Sequence, residues 1–358
     1  MQGNNSSRRK AEAEALRAIV DQFLSRETHP ARDVEQFERL AGGLIDLLGA
    51  EHLAEIVLPL CHHAETPPSI VARLLDKGAD CAKAAFEFAC GVSAADVRAT
   101  AEHGPAEHAA AIARRGDLDR DIVAALAARP EPHVLCALAA NADAHLDSLA
   151  LRLLVRAARD DLALARILLD RGAADLDAES LFLAATRDER AALTLEACRD
   201  ALAAGRYEPP ARADADFEAR LDAATFSGDQ DAIISLFTDA LDCRKGRVRA
   251  IVVDPGGEPL ALTLSALGVS EPAAVRVLLS ADPRVSHDPV RVRALRALMR
   301  STPPAAAARI VAAMTGATRH EQDALRRAAA RDAGAPGWRK AVSRAPQARP
   351  AIKDAQER

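Results

Sequence analysis

Leu126-Ala-Ala-Arg-Pro-Glu-Pro-His-Val134 is answered at an offset of 12 by Leu138-Ala-Ala-Asn-Ala-Asp-Ala-His-Leu146. In each stretch an apolar helix end gives way to a short acidic turn with His at a fixed place, and a new apolar run begins. A looser copy, Ile112-Ala-Arg-Arg-Gly-Asp-Leu118, lies 14 residues before Leu126. Units this short cannot bury an apolar face alone and must lean on their neighbours, which is the signature of stacked helical repeats. Helices of about 10 residues are marginal in water unless they pack side by side. The drifting spacing therefore predicts a degenerate, pairwise helical array.

Composition agrees with this reading. The chain of 358 residues is 49% hydrophobic but only 3% aromatic, so its core must be built from Ala, Leu, Val and Ile. Ala-rich helices lose little side-chain entropy and let axes approach closely. A β-rich chain would show more aromatic and β-branched residues in alternation. The expected fold is all-α, a right-handed superhelical, HEAT-like array of short antiparallel helix pairs.

Working outward, Leu16, Ile19, Val20, Phe23 and Leu24 form one apolar stripe, which Thr28-His29-Pro30 ends. Helices are predicted over 34–48 and 51–62, and one restarts at Thr66-Pro67-Pro68 toward Leu75. Further helices follow near 146–159, 162–170 and 187–204. Gly205 to Arg212, with two Pro, is the clearest internal break. Beyond it, helices are expected over 213–225, 229–241, 305–314 and 320–331. Ala250-Ile-Val-Val253 fits a buried strand or a helix end, and reads as a helix end because no second strand lies nearby. This divides the chain into a polar segment and first helix (1–33), the repeat array (34–205), a C-terminal helical region (213–333) and a tail (334–358).

Several clusters invite a chemical reading and fail it. Asp254-Pro-Gly-Gly-Glu258 looks like a phosphate cradle, but Pro255 and Pro259 remove backbone donors and Glu258 adds the wrong charge. A turn followed by a helix start, with Pro259 near the first helical position, suits it better. His62-His63 with Glu65, and His103 with Glu107 and His108, lack the spacing of a helical zinc motif. His133 and His145 hold equivalent repeat positions, either on one ridge or as exposed residues near helix ends. Asp117, Asp119 and Asp121, like Asp214, Asp216 and Glu218, do not converge as a two-carboxylate acid–base pair would and suit capping. Six separated cysteines predict neither a disulfide framework nor a zinc site. No catalytic residue, metal site or cofactor is expected. Without an apolar leader or a run of about 18 apolar residues, a soluble cytoplasmic protein is expected.

Charge is the one strong asymmetry. The net charge is −5, yet residues 284–358 hold 16 Lys and Arg against 6 Asp and Glu. On the helix near 290–300, Arg293, Arg296 and Arg300 fall on one side, and Val292, Leu295, Leu298 and Met299 on the other. Arg319, Arg326, Arg327 and Arg331 extend the basic surface. Such a face suits an acidic protein partner, or nucleic acid through its phosphates. Trp338 is the only aromatic residue near it for base stacking.

Two stretches resemble the bacterial domain-of-unknown-function family 2336. One runs from Ala111-Ile-Ala-Arg-Arg-Gly-Asp-Leu118 through Ala137-Leu-Ala-Ala-Asn141 and Ala144. The other runs from Asp254-Pro-Gly-Gly-Glu-Pro-Leu260 through Ala266-Leu-Gly268 to Val275–Leu279. The likeness spans roughly residues 35 to 300, and the 126–146 segment is also similar to leucine-rich-variant repeats. The resemblance implies degenerate HEAT-like helical repeats and carries over no catalytic residue. The expected function is a non-enzymatic scaffold for a protein partner in the bacterial cytoplasm. The alternative is nucleic-acid binding, with Arg293, Arg296, Arg300, Arg319 and Arg326 as the contact residues in either case. No membrane association is expected.

Overall fold

A computed structural model describes residues 2–204 and 214–316, and every regular element among them is helical. In chain order the first eleven α-helices are α1 (Gln2–Leu24), α2 (Ala31–Leu47), α3 (Ala54–His62), α4 (Pro68–Leu75), α5 (Ala79–Phe88), α6 (Ala94–His103), α7 (Ala106–Ala113), α8 (Arg120–Ala127), α9 (Pro132–Ala140), α10 (Ser148–Ala158) and α11 (Leu162–Arg171). After a 3-10 helix, Glu179–Ala184, come α12 (Arg187–Ala203), α13 (Ala215–Ser227), α14 (Gln230–Leu241), α15 (Lys245–Val252), α16 (Glu258–Ala266), α17 (Glu271–Leu279), α18 (Pro283–Ser286), α19 (Pro289–Ser301) and α20 (Pro304–Thr315). A second 3-10 helix, Ala50–His52, precedes α3. The expected break at Gly205–Arg212 and the helix over 320–331 lie outside the described residues.

Side-chain caps set nine of the twenty α-helix starts among the described residues. Ser93, Asp119, Asp147, Asp161, Asp214 and Asp229 each accept a hydrogen bond from a backbone N–H of the following turn. Each thereby satisfies a donor that the helix itself leaves unpaired. Thr186 and Glu189 form a reciprocal capping box at α12.

Through α11 the packing follows chain order. The odd-numbered helices α3, α5, α7, α9 and α11 form one row, each against the next. Beside it α2 packs on α4, α6 on α8 and α8 on α10. Leu126 and Leu138, the paired residues of the repeated stretch, are fully buried in consecutive helices of the two layers.

The repeat also carries a second, cross-repeat device. Three residues after each of the fully buried Leu74, Ile112, Leu126, Leu138 and Leu168 stands a donor: Lys77, Arg115, Arg129, Asn141 and Arg171. Each reaches back to carbonyls at the end of an earlier helix. Lys77 Nζ is 3.0 Å from Leu48 O, and Arg115 Nη1 is 3.0 Å from both Phe86 O and Ala89 O. Arg129 Nη2 is 2.9 Å from Gly104 O, Asn141 Nδ2 is 2.9 Å from Ala113 O, and Arg171 Nη1 is 3.0 Å from Ala139 O. Helix ends leave carbonyls without partners and carry partial negative charge, so a donor from the next repeat satisfies both needs.

Serial order gives way after residue 184. Helix α11 packs on the 3-10 helix, which packs on α20, which packs on α16. The last described helix thus inserts where the next member of the row would fall. The cause lies in α16, whose residues from Glu258 to Leu264 are all buried. A helix with no polar face must be enclosed on every side, and α15, α17, α19 and α20 enclose it. The 3-10 helix joins the two packing regimes, with Leu181 in the core of the row and Phe182 in the core around α16.

Candidate functional site

Helix α19 presents the basic surface expected from the sequence. Asp288 caps it, accepting from Val290 N at 2.9 Å and Arg291 N at 3.1 Å. Val292 and Leu295 are buried, Leu298 and Met299 half-buried, and Arg293, Arg296 and Arg300 exposed. The structure adds Glu271, from the first turn of α17, to this face. Arg296 pairs with Glu271, and Arg300 does so at 2.8 Å. These two guanidinium groups hold the Glu271 carboxyl below the usual carboxylate range. Arg293 donates to Pro289 O of its own helix at 3.2 Å and keeps its charge without a carboxylate among the described residues. Arg319, Arg326, Arg327 and Arg331 lie outside the described residues. The carboxylate was missed because Glu271 is 25 residues from Arg296 in the chain.

The Asp254-Pro-Gly-Gly-Glu258 loop is a turn into α16, as read from the sequence, but its carboxylates have a role not read there. Asp254 accepts from Gly256 N and Gly257 N, each at 2.9 Å. Arg190 of α12 approaches Asp254 at 2.7 Å and Glu258 at 3.1 Å, and also donates to Leu183 O at 2.8 Å. Arg291 of α19 pairs with Glu258 and donates to Gly256 O at 2.6 Å. Two arginines and two carboxylates thus meet in the interior and use their hydrogen-bonding capacity on one another. Burial pushes the Glu258 carboxyl up, but Arg291 and Arg190 bring it below the ordinary glutamate value. Gly257 has φ +79°, and a Cβ there would lie 2.7 Å from Leu295 Cδ1. The turn therefore requires glycine.

Other clusters are placed as single structural contacts. Asp119 and Asp214 are caps, while Asp117 pairs with Arg115 at 2.6 Å and Asp121 with Arg98 at 3.4 Å. Glu218 instead accepts from Ser270 N at 2.7 Å. His133 opens α9 and lies 3.7 Å from Glu107. His145 sits in the loop before α10. His63 Nε2 donates to Arg26 O at 2.9 Å, and His29 meets Glu65 at 2.8 Å. No group of three or more His, Cys, Asp or Glu suited to a metal occurs among the described residues. All six cysteines are free, and burial pushes the Cys61 thiol up to about 12. A shallow cavity of about 240 Å³ between α12 and α20 has Asp200 and Arg309 in its lining, and these pair with each other at 2.7 Å. No helix among the described residues is long and apolar enough to cross a membrane.

No curated protein and no solved structure matches the chain. The family described as an uncharacterised protein conserved in bacteria, DUF2336, matches residues 93–292. That stretch begins at the cap of α6, contains the whole Arg190, Asp254, Glu258 and Arg291 cluster, and ends within α19. Covering more than half of the chain, the match establishes that this protein belongs to the DUF2336 family.

Proposed function

We propose that this protein is a non-enzymatic helical-repeat scaffold that holds an acidic protein partner against the outer face of α19 in the bacterial cytoplasm. The observation that carries the reading is the ratio of charges there, three exposed guanidinium groups to the single carboxylate of Glu271. The helix bearing them is fixed from behind by Val292, Leu295 and the buried Arg291 contact. A rigid helix with surplus positive charge favours acidic segments and steers their approach. The interior carboxylates support a scaffold over an enzyme, because Asp254 and Glu258 are committed to arginines and backbone N–H groups.

The test is affinity capture of the tagged chain from its bacterial host, in parallel with an Arg293→Glu, Arg296→Glu, Arg300→Glu chain. A protein retained by the first and lost by the second, with crosslinks mapping to α19, supports the proposal. Equal retention by both chains refutes it. Nucleic-acid binding is the second reading, favoured by the 16 to 6 excess of basic residues over 284–358. Glu271 counts against it, since a carboxylate within the patch repels phosphate.

A further inference from the structure

We propose that the exposed face of α12 is a self-association surface, through which two copies of this chain pair antiparallel. Helix α12 has two faces of different character. Its inner face carries Arg190, Thr194 and Ala197, all buried, and is tied down by the Asp254 pair and by Arg309 on Asp200. The outer face is a stripe of Asp188, Ala191, Ala192, Leu195, Arg199 and Leu202, at i, i+3, i+4, i+7, i+11 and i+14, and all six are exposed. Leu195 is 52% and Leu202 73% exposed. Leu195, with Ala191 and Ala192 beside it, gives this face a small apolar centre between the charges of Asp188 and Arg199.

The order of residues along the stripe identifies the occupant. Placing a two-fold axis between Leu193 and Thr194 sets Asp188 of one copy opposite Arg199 of the other, and Arg199 opposite Asp188. The same operation sets each Leu195 opposite Ala192 of the second copy, a large side chain against a small one. Both ion pairs and both apolar contacts then arise together, as a two-fold interface requires. Asp188 and Arg199 make no ion pair among the described residues, so each is free to serve. A parallel arrangement in register would place Asp188 against Asp188 and Arg199 against Arg199, which is repulsive.

Sedimentation velocity and light scattering on the full chain, under reducing conditions and over a dilution series, test the proposal. The wild-type chain is expected at twice its mass of 37.9 kDa at the upper concentrations. Leu195→Asp should weaken association roughly thirtyfold or more while leaving the thermal melt and helical circular dichroism unchanged. Asp188→Arg should weaken it by like-charge repulsion, and adding Arg199→Asp to the same chain should restore it. A wild-type monomer throughout the series overturns the proposal, as does a dimer indifferent to Leu195→Asp. Failure of the double charge swap to restore pairing overturns the antiparallel register. The triple substitution on α19 should leave the dimer intact, so the two proposals stand or fall separately.

Discussion

The guanidinium of Arg190 lies 2.7 Å from the carboxylate of Asp254, although 64 residues separate them, and both side chains are less than a tenth exposed. Their contact pins α12 to the loop that opens α16. With Glu258 and Arg291 it forms a four-charge network joining the end of the helical row to the unit around α16. Such a network stabilises only while complete, because removing one member leaves a buried charge without its counterion.

Arg190→Met should therefore cost about 3–5 kcal/mol. Urea denaturation followed by circular dichroism measures this directly. Asp254→Asn should fall in the same direction. Hydrogen exchange should show the loss concentrated in α12 and α16, and a loss spread evenly over α2 to α9 would contradict the assigned role.

Acid should loosen the same half of the molecule. Arg166 and the backbone N–H and hydroxyl of Thr186 surround Glu189, and the hydrogen bond from Arg166 is the chief cause that brings the Glu189 carboxyl to about 2. Glu258 is shifted in the same direction. A folded-state value below the unfolded one of about 4.3 means that the contribution is complete above the unfolded value. It is lost as pH falls toward about 2. Thermal melts should be flat above that window and decline within it, and Glu189→Gln should shallow the decline. Because Glu189 is partly exposed, solvent screening keeps its share small.

The cross-repeat donors make a separate prediction. Arg129→Ala removes the hydrogen bond to Gly104 O and leaves the end of α6 short of a partner, at a cost of about 1–3 kcal/mol. Asn141→Ala should behave alike at the end of α7. Both should lower the urea midpoint without changing helical content at low denaturant. An unchanged midpoint in both would mean that water replaces these donors at no cost.

Leu126 and Leu138 test the repeat register itself. Each is 0% exposed, and truncation to Ala should cost about 2–5 kcal/mol. Substitution by Asp places an unpaired charge in the stack and should unfold several neighbouring helices together. Wild-type helicity and melting in Leu126→Asp and Leu138→Asp would show the register to be wrong.

The α19 face yields a test by gain as well as by loss. Glu271→Gln removes the carboxylate that Arg296 and Arg300 share, so binding of an acidic partner should tighten and become more salt-dependent. The same chain, in a gel-shift series at low salt, examines the nucleic-acid reading. No retention at any salt would exclude it.

The sequence by itself determined that the chain is helical, where most helices begin, and which leucines face inward. Those features are set within one or two turns, by apolar spacing and by caps such as Asp119 and Asp214. It also held the donors Lys77, Arg115, Arg129, Asn141 and Arg171, each three residues after a buried Leu or Ile, but their use stayed hidden, since their acceptors are backbone carbonyls about one repeat away. Tertiary structure alone decided that Arg190 meets Asp254, that Glu271 offsets Arg296 and Arg300, and that α20 is inserted beside α16. Each depends on which distant segments come together to enclose an apolar helix, and no spacing along the chain records that choice.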